Sequence, residues 1–186
     1  MSLPLVTRSF TVDEYHRMVE AGILREDDRV ELLDGQIVEM SPIGPRHAGC
    51  VSALNHLLIR RLGDTVILGI QNPVVLRPRS APEPDVAVLR RKAGFYRDAH
   101  PGPDDLLLVI EVADSSAETD RDVKLPLYAA AGIREVWLVD LEHERVHVYR
   151  SPSGNGYADV RTLERGDTVV PLLVASGPVE VGEVLG

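Results

Sequence analysis

The chain has 186 residues, 44% of them hydrophobic and 26% charged, enough for one domain with a real core and short for two. Its net charge of −9 argues against broad electrostatic capture of nucleic acid and leaves room for a local basic face. Cys50 is the one cysteine, no apolar run reaches membrane-span length, and no basic-then-apolar leader opens the sequence, so a cytoplasmic protein without disulfides or membrane spans is expected.

The first expected element is a helix. Thr11 and Glu14 make a capping box, Phe10 and Tyr15 stand at staple positions, and Gly22 ends the stripe of Val12, Tyr15, Met18 and Val19. Residues 29–40, RVELLDGQIVEM, predict a hairpin turning at Asp34-Gly35. Glu31 lies inside its first arm, and alternation leaves its direction open between solvent and a site. Residues 41–47 read as a loop. Residues 48–62 read as a helix with Val51, Leu54, Leu58 and Leu62 on one side. His47 falls at its first turn, as a cap-region donor, a phosphate contact or a proton carrier. Arg46, Arg60 and Arg61 form a basic cluster whose plainer reading is a solvated face.

Residues 65–70 and 73–76 predict two short strands broken at Gln71-Asn72. A proline-rich turn with Arg77 and Arg79 leads to a strand over residues 85–89. In residues 90–105, Arg90, Arg91, Lys92 and Arg97 interleave with Phe95 and Tyr96. That mixture suits nucleic-acid contact, and equally a solvated loop with two rings tucked onto the core. Residues 106–112 are a nearly unbroken apolar strand of the kind buried at a sheet centre. Ser115 and Glu118 offer another capping box. The helix they open runs to about Ala131, stops at Gly132, and restarts near Leu125 because Pro126 fits only a first turn. Strands follow at 133–139 and 145–149, then a turn at 153–156, an edge strand over 157–163, and strand-like tail runs at 168–173 and 178–184.

Two of these strands carry an acid, Asp85 at the start of one and Glu111 near the end of the other. An acid in an apolar run is costly unless a partner or a metal satisfies it. Lys124 follows on the next helix. Two acids and a lysine suggest a divalent-metal site for phosphodiester hydrolysis, which needs a cation, an aimed water and a neutralised leaving oxygen. Mg²⁺ often takes only one or two protein carboxylates. Asp85 and Glu111 would supply them, the Val112 carbonyl a third oxygen, and Lys124 would orient or activate the water. The plainer alternative is an acid at each strand end, facing solvent.

In combination these residues resemble the PD-(D/E)XK nuclease superfamily, and more narrowly the bacterial Uma-type family of small restriction-endonuclease-like proteins. The matching blocks are Glu31-Leu32-Leu33-Asp34-Gly35, Pro45-Arg46-His47, Pro84-Asp85-Val86-Ala87-Val88 and Ile110-Glu111-Val112. After them come Asp120, Lys124, Tyr128, Gly132-Ile133-Arg134-Glu135-Val136-Trp137 and Val139-Asp140. The one departure is Ala113, which stands where the superfamily has its lysine, and the resemblance implies that Lys124 replaces it.

The implied fold is α/β, a restriction-endonuclease-like core. It is a central mixed (α+β) sheet flanked by helices, with a β-rich N-terminal hairpin and a C-terminal extension, in a single domain over residues 1–186. The implied activity is DNA endonuclease, dependent on Mg²⁺ (Mn²⁺ possible), in a homodimer built through residues 169–174 or the edge strand near Tyr157. Carried over by residue, Asp85 and Glu111 with Val112 hold the metal and Lys124 is the catalytic lysine. Glu31 is an outer acid, and His47, Gln71 and Tyr128 are supporting candidates. Two other readings stay open: a catalytically silent nucleic-acid- or protein-binding module of the same fold, and a metal-dependent hydrolase of small phosphorylated substrates.

Overall fold

The computed structural model describes residues 7–25, 27–76, 78–114 and 120–186, the side chains of Asp120 and Arg121 excepted. Its first helix, α1 (Val12–Glu20), starts where the capping box predicts. The Thr11 hydroxyl accepts from the Glu14 N–H at 3.2 Å, and the Glu14 carboxylate accepts from the Thr11 N–H at 3.0 Å. Strands β1 (Val30–Leu33) and β2 (Gln36–Glu39) form the hairpin, with Asp34 and Gly35 both at positive φ. Gly35 is required there for a second reason. A Cβ at that position would lie 2.7 Å from the Ser9 Cβ and 3.0 Å from the Phe10 carbonyl oxygen. Val12, Leu32, Val75 and Ala81 form a small core between α1 and the hairpin, separate from the main cores.

The main sheet has six strands in the order β3 (Val66–Ile70), β4 (Val86–Arg90), β5 (Leu106–Ala113), β6 (Glu135–Asp140), β7 (Arg145–Ser153) and β8 (Gly156–Glu164). Only β5 and β6 pair in parallel, so the chain must cross over between them. The crossover ends in a π-type turn, Asp120–Lys124, and helix α3, Leu125–Ala130, with Pro126 in its first turn where no intrahelical hydrogen bond is lost. Strand alternation then sorts side chains to two faces. Val86, Val88, Leu108, Ile110, Trp137 and Val139 pack beneath helix α2 (Pro45–Leu62). Ala87, Leu89, Val109 and Val136 pack against Leu125 and Tyr128 of α3. Every residue of β5 is buried, as expected for a strand covered on both sides.

The expectation of a mixed sheet with flanking helices, an N-terminal hairpin and a C-terminal extension is met. Three local readings are corrected. Residues 73–76 are extended without being a strand, because the N–H groups of Val74 and Val75 bond to the Pro82 and Pro101 carbonyls instead of a ladder. In the tail only β9 (Thr168–Val169) and β10 (Val179–Glu180) pair as strands. Residues 181–185 are a helix, α4 (Val181–Leu185), whose apolar side chains lie against α2 and whose start is capped through Glu180 and Glu183. Glu135 explains how the tail is held. Its fully buried carboxylate accepts from the Trp137 indole at 2.9 Å, from Arg150 at 3.0 and 2.6 Å, and from the Leu172 N–H at 2.6 Å. The Ser115–Glu118 capping box and Arg77 lie outside the described residues.

Candidate active site

The sheet carries Asp85 and Glu111 to one place. Val86 pairs with Ile110 in the β4–β5 ladder, so Asp85, just before β4, stands beside Glu111. The Asp85 N–H donates to Glu111 Oε2 at 3.4 Å, and the Val112 N–H donates to Asp85 Oδ2 at 2.8 Å. Both acids are buried, at 9% and 2% exposure, and both line one cleft of about 300 Å³.

Three further side chains fix them. His47, in the first turn of α2, has Nε2 3.0 Å from Asp85 Oδ2. The Gln71 amide donates to Asp85 Oδ1 at 3.1 Å. Gln71 also has φ of 50°, a conformation that costs a non-glycine residue energy, and its backbone N–H bonds to the Asp85 carbonyl. On α3, the Tyr128 hydroxyl donates to Glu111 Oε1 at 2.6 Å. Lys124 is 8% exposed. Its ammonium lies 3.3 Å from Glu31 Oε1 and 3.5 Å from Glu111 Oε1, bridging the hairpin to the sheet. The direction of Glu31, open on periodicity, is therefore inward. Its other oxygen accepts from the Glu83 N–H at 3.0 Å. All eight residues singled out from sequence (Glu31, His47, Gln71, Asp85, Glu111, Val112, Lys124 and Tyr128) belong to this one cluster.

Sequence reasoning passed over Glu83 and Arg29, which also line the cleft. Glu83 was legible only as the acid two before Asp85. Burial, then the nearby Glu31 carboxylate, pushes its carboxyl above the usual glutamate range. Charge is lopsided. Glu31, Glu39, Glu83, Asp85, Glu111 and Asp114 line the cleft against Arg29 and Lys124 among the described residues. Such a surface attracts cations and repels a bare polyanion. Its donors are carboxylate oxygens, the hard kind that Mg²⁺ and Mn²⁺ favour. Among the described residues no group of three or more His, Cys, Asp or Glu side chains is arranged to hold a metal.

Four basic residues outside the cleft lining, Arg46, Arg61, Arg91 and Lys92, lie apart from it or are engaged. Arg91 and Lys92 follow β4 at the end opposite Asp85, roughly 20 Å away by strand rise. The Arg91 guanidinium lies 4.5 Å from the Phe95 ring centre and the Lys92 ammonium 4.8 Å from that of Tyr96. Tyr96 is tucked in by its hydroxyl, which donates to the Arg90 carbonyl at 2.8 Å, whereas Phe95 stays 63% exposed. Arg46 holds Asp114 at 2.8 Å and the Leu141 carbonyl at 2.7 Å. Arg61 holds Glu183 and the Pro178 carbonyl, both at 2.6 Å. Two of the three arginines in that cluster therefore brace the fold.

No curated protein matches this sequence. A solved structure from Anabaena variabilis ATCC 29413, titled a putative nuclease belonging to DUF820, superposes with a TM-score of 0.66 at 17% identity, over 95% of this chain and 97% of that one. At that identity the likeness establishes the shared fold. The Uma2 family model, described as "Putative restriction endonuclease", matches residues 12–179, spanning every element of the cleft. A match over that span settles the family: the chain belongs to the Uma2 family.

Proposed function

We propose that this chain is a Mg²⁺- or Mn²⁺-dependent endonuclease that hydrolyses phosphodiester bonds of DNA, acting in the cytoplasm as a single domain and as a homodimer. The observation that supports it is the meeting of Asp85, Glu111 and Lys124 in one cleft, each braced by its own partners. Asp85 and Glu111, with the Val112 carbonyl, would hold the ion. A bound divalent ion supplies Lewis-acid stabilisation of phosphoryl charge and a more acidic water. The chain's own residues do the rest. His47 and Gln71 hold the Asp85 carboxylate from two sides, and Tyr128 orients Glu111. Lys124, kept among acids, presents positive charge where the phosphoryl oxygens gain negative charge. Glu31 fixes the lysine rather than the metal.

The acidic lining favours one second reading, a metal-dependent hydrolase of small phosphorylated substrates, since few phosphates must then approach the rim. The deciding experiment is Mn²⁺ calorimetry on the wild type and Asp85→Ala, followed by cleavage assays on duplex DNA, single-stranded DNA and a small phosphodiester. Expected is metal binding by the wild type, DNA cleavage, and loss of both in Asp85→Ala. An Asp85→Ala protein that cleaves at the wild-type rate under metal saturation would refute the assignment. Turnover of only the small diester would replace the nuclease with the second reading.

A further inference from the structure

Strand β8 closes one side of the sheet, with β7 on one side and, among the described residues, no strand on the other. Free edges are usually blunted by short length, lysine, proline or a bulge. β8 is long and has no lysine or proline, and its charges are the mixed set Asp159, Arg161 and Glu164. It runs nine residues, GYADVRTLE, along β7, with one gap in the ladder at Ser151, whose φ is 59°. Its sequence is instead self-complementary about Val160. Antiparallel pairing of two copies centred there sets Asp159 opposite Arg161, Ala158 opposite Thr162 and Tyr157 opposite Leu163. Opposite charges directly across a ladder stabilise it and like charges destabilise it, so this register is favoured over its neighbours.

Val160 stands on the Tyr149 face of the sheet, and the tail residues Val170 and Leu172 are held on the Arg150 face. Val160 is 52% exposed, Val170 53% and Leu172 49%. Val170 and Leu172 belong to the tail laid over β6 and β7, where Arg150 donates to the Val170 carbonyl at 2.5 Å and the Leu172 N–H bonds to Glu135. The edge therefore joins open backbone groups, a charge pattern that matches itself under two-fold rotation, and an exposed valine at its centre.

We infer that β8 pairs antiparallel with β8 of a second copy about Val160, giving a sheet continuous through twelve strands. This rests on the homodimer reading above and names its surface and register. Such a two-fold contact is closed, so it yields a dimer and stops there.

The test separates contact between chains from the Asp159–Arg161 ion pair within one chain, 3.1 Å long. Asp159→Arg and Arg161→Asp are each compared with the wild type by sedimentation at tens of micromolar, alone and mixed in equal amounts. Each reversal alone should raise the dimer dissociation constant at least about tenfold. The mixture should return to within about threefold of the wild type, because the arginines of one variant then face the aspartates of the other. Clashes within each chain persist on mixing, so recovery reports the contact between chains. A second arm uses Val160→Cys, which places like residues at the two-fold about 4.5–5.5 Å apart by Cα, within disulfide reach. Oxidation should link it quantitatively, as the native Cys50 is buried. A dimer indifferent to the reversals, or a mixture that stays monomeric, overturns this surface and leaves the homodimer standing. A wild-type monomer overturns both.

Discussion

Replacing Lys124 by methionine keeps the length of the side chain and removes its charge. Read from sequence as a lysine that binds no metal, it should be removable with the fold and metal affinity nearly intact. The structure gives it a second task. Its ammonium is buried between Glu31 and Glu111, so Lys124→Met strands two carboxylates in the cleft. Breaking a buried pair from one side costs about 3–5 kcal/mol. Contacts of 3.3 and 3.5 Å at the wall of an open cleft place this case lower, at about 2–3 kcal/mol. For a domain of this size that corresponds to a fall in Tm of about 4–12 °C. The assay is thermal unfolding followed by circular dichroism, with chelator present throughout. Adding Glu31→Gln to Lys124→Met should restore at least about 1 kcal/mol, since one stranded charge is neutralised. A Lys124→Met protein melting within about 1 °C of the wild type would refute the bridging role.

Two further outcomes follow from the geometry. Gly35→Ala must carry a Cβ into Ser9 at positive φ, and should cost about 2–3 kcal/mol, read as a lower midpoint in urea unfolding with the slope unchanged. Glu83 has a folded-state carboxyl raised by burial and by Glu31, so the folded chain binds its proton more tightly than the unfolded one. Ionisation then works against the fold as pH rises through the unfolded value, and the loss is complete above the raised one. Glu83→Gln should therefore raise Tm by about 1–3 °C at pH 7–8, a figure reduced for its partial exposure, and by less at pH 4. A shift that is larger at pH 4 would show the sign to be wrong.

The sequence was most legible where one short-range rule acts alone. The Thr11–Glu14 box, the Asp34-Gly35 turn, the apolar run of β5 and Pro126 in a first turn each follow from a few neighbours. The tail was misread because Val179 to Val184 is apolar enough for either period, and packing against α2 decides for the helix. Residues 73–76 have strand composition, yet their backbone partners come from prolines that no local pattern points to. In the site, Asp85 and Glu111 stood out as acids among apolar residues. The inward turn of Glu31 depends on Lys124, far along the chain, and the strain at Gln71 on the position of Asp85. Glu83 offered only its place two residues before Asp85, and the fold brings it to the cleft wall.

The salt bridge between Glu31 and Lys124 has a consequence for how the chain is made. Its two ends are 93 residues apart, and the acid emerges from the ribosome first. At about 5–20 residues per second, the hairpin waits some 5–20 s before its lysine exists. During that interval the small core of Val12, Leu32, Val75 and Ala81 can form once residue 81 is out, which fixes the hairpin while its acid still faces water. The cleft thus closes only after Lys124 has emerged and the crossover helix docks.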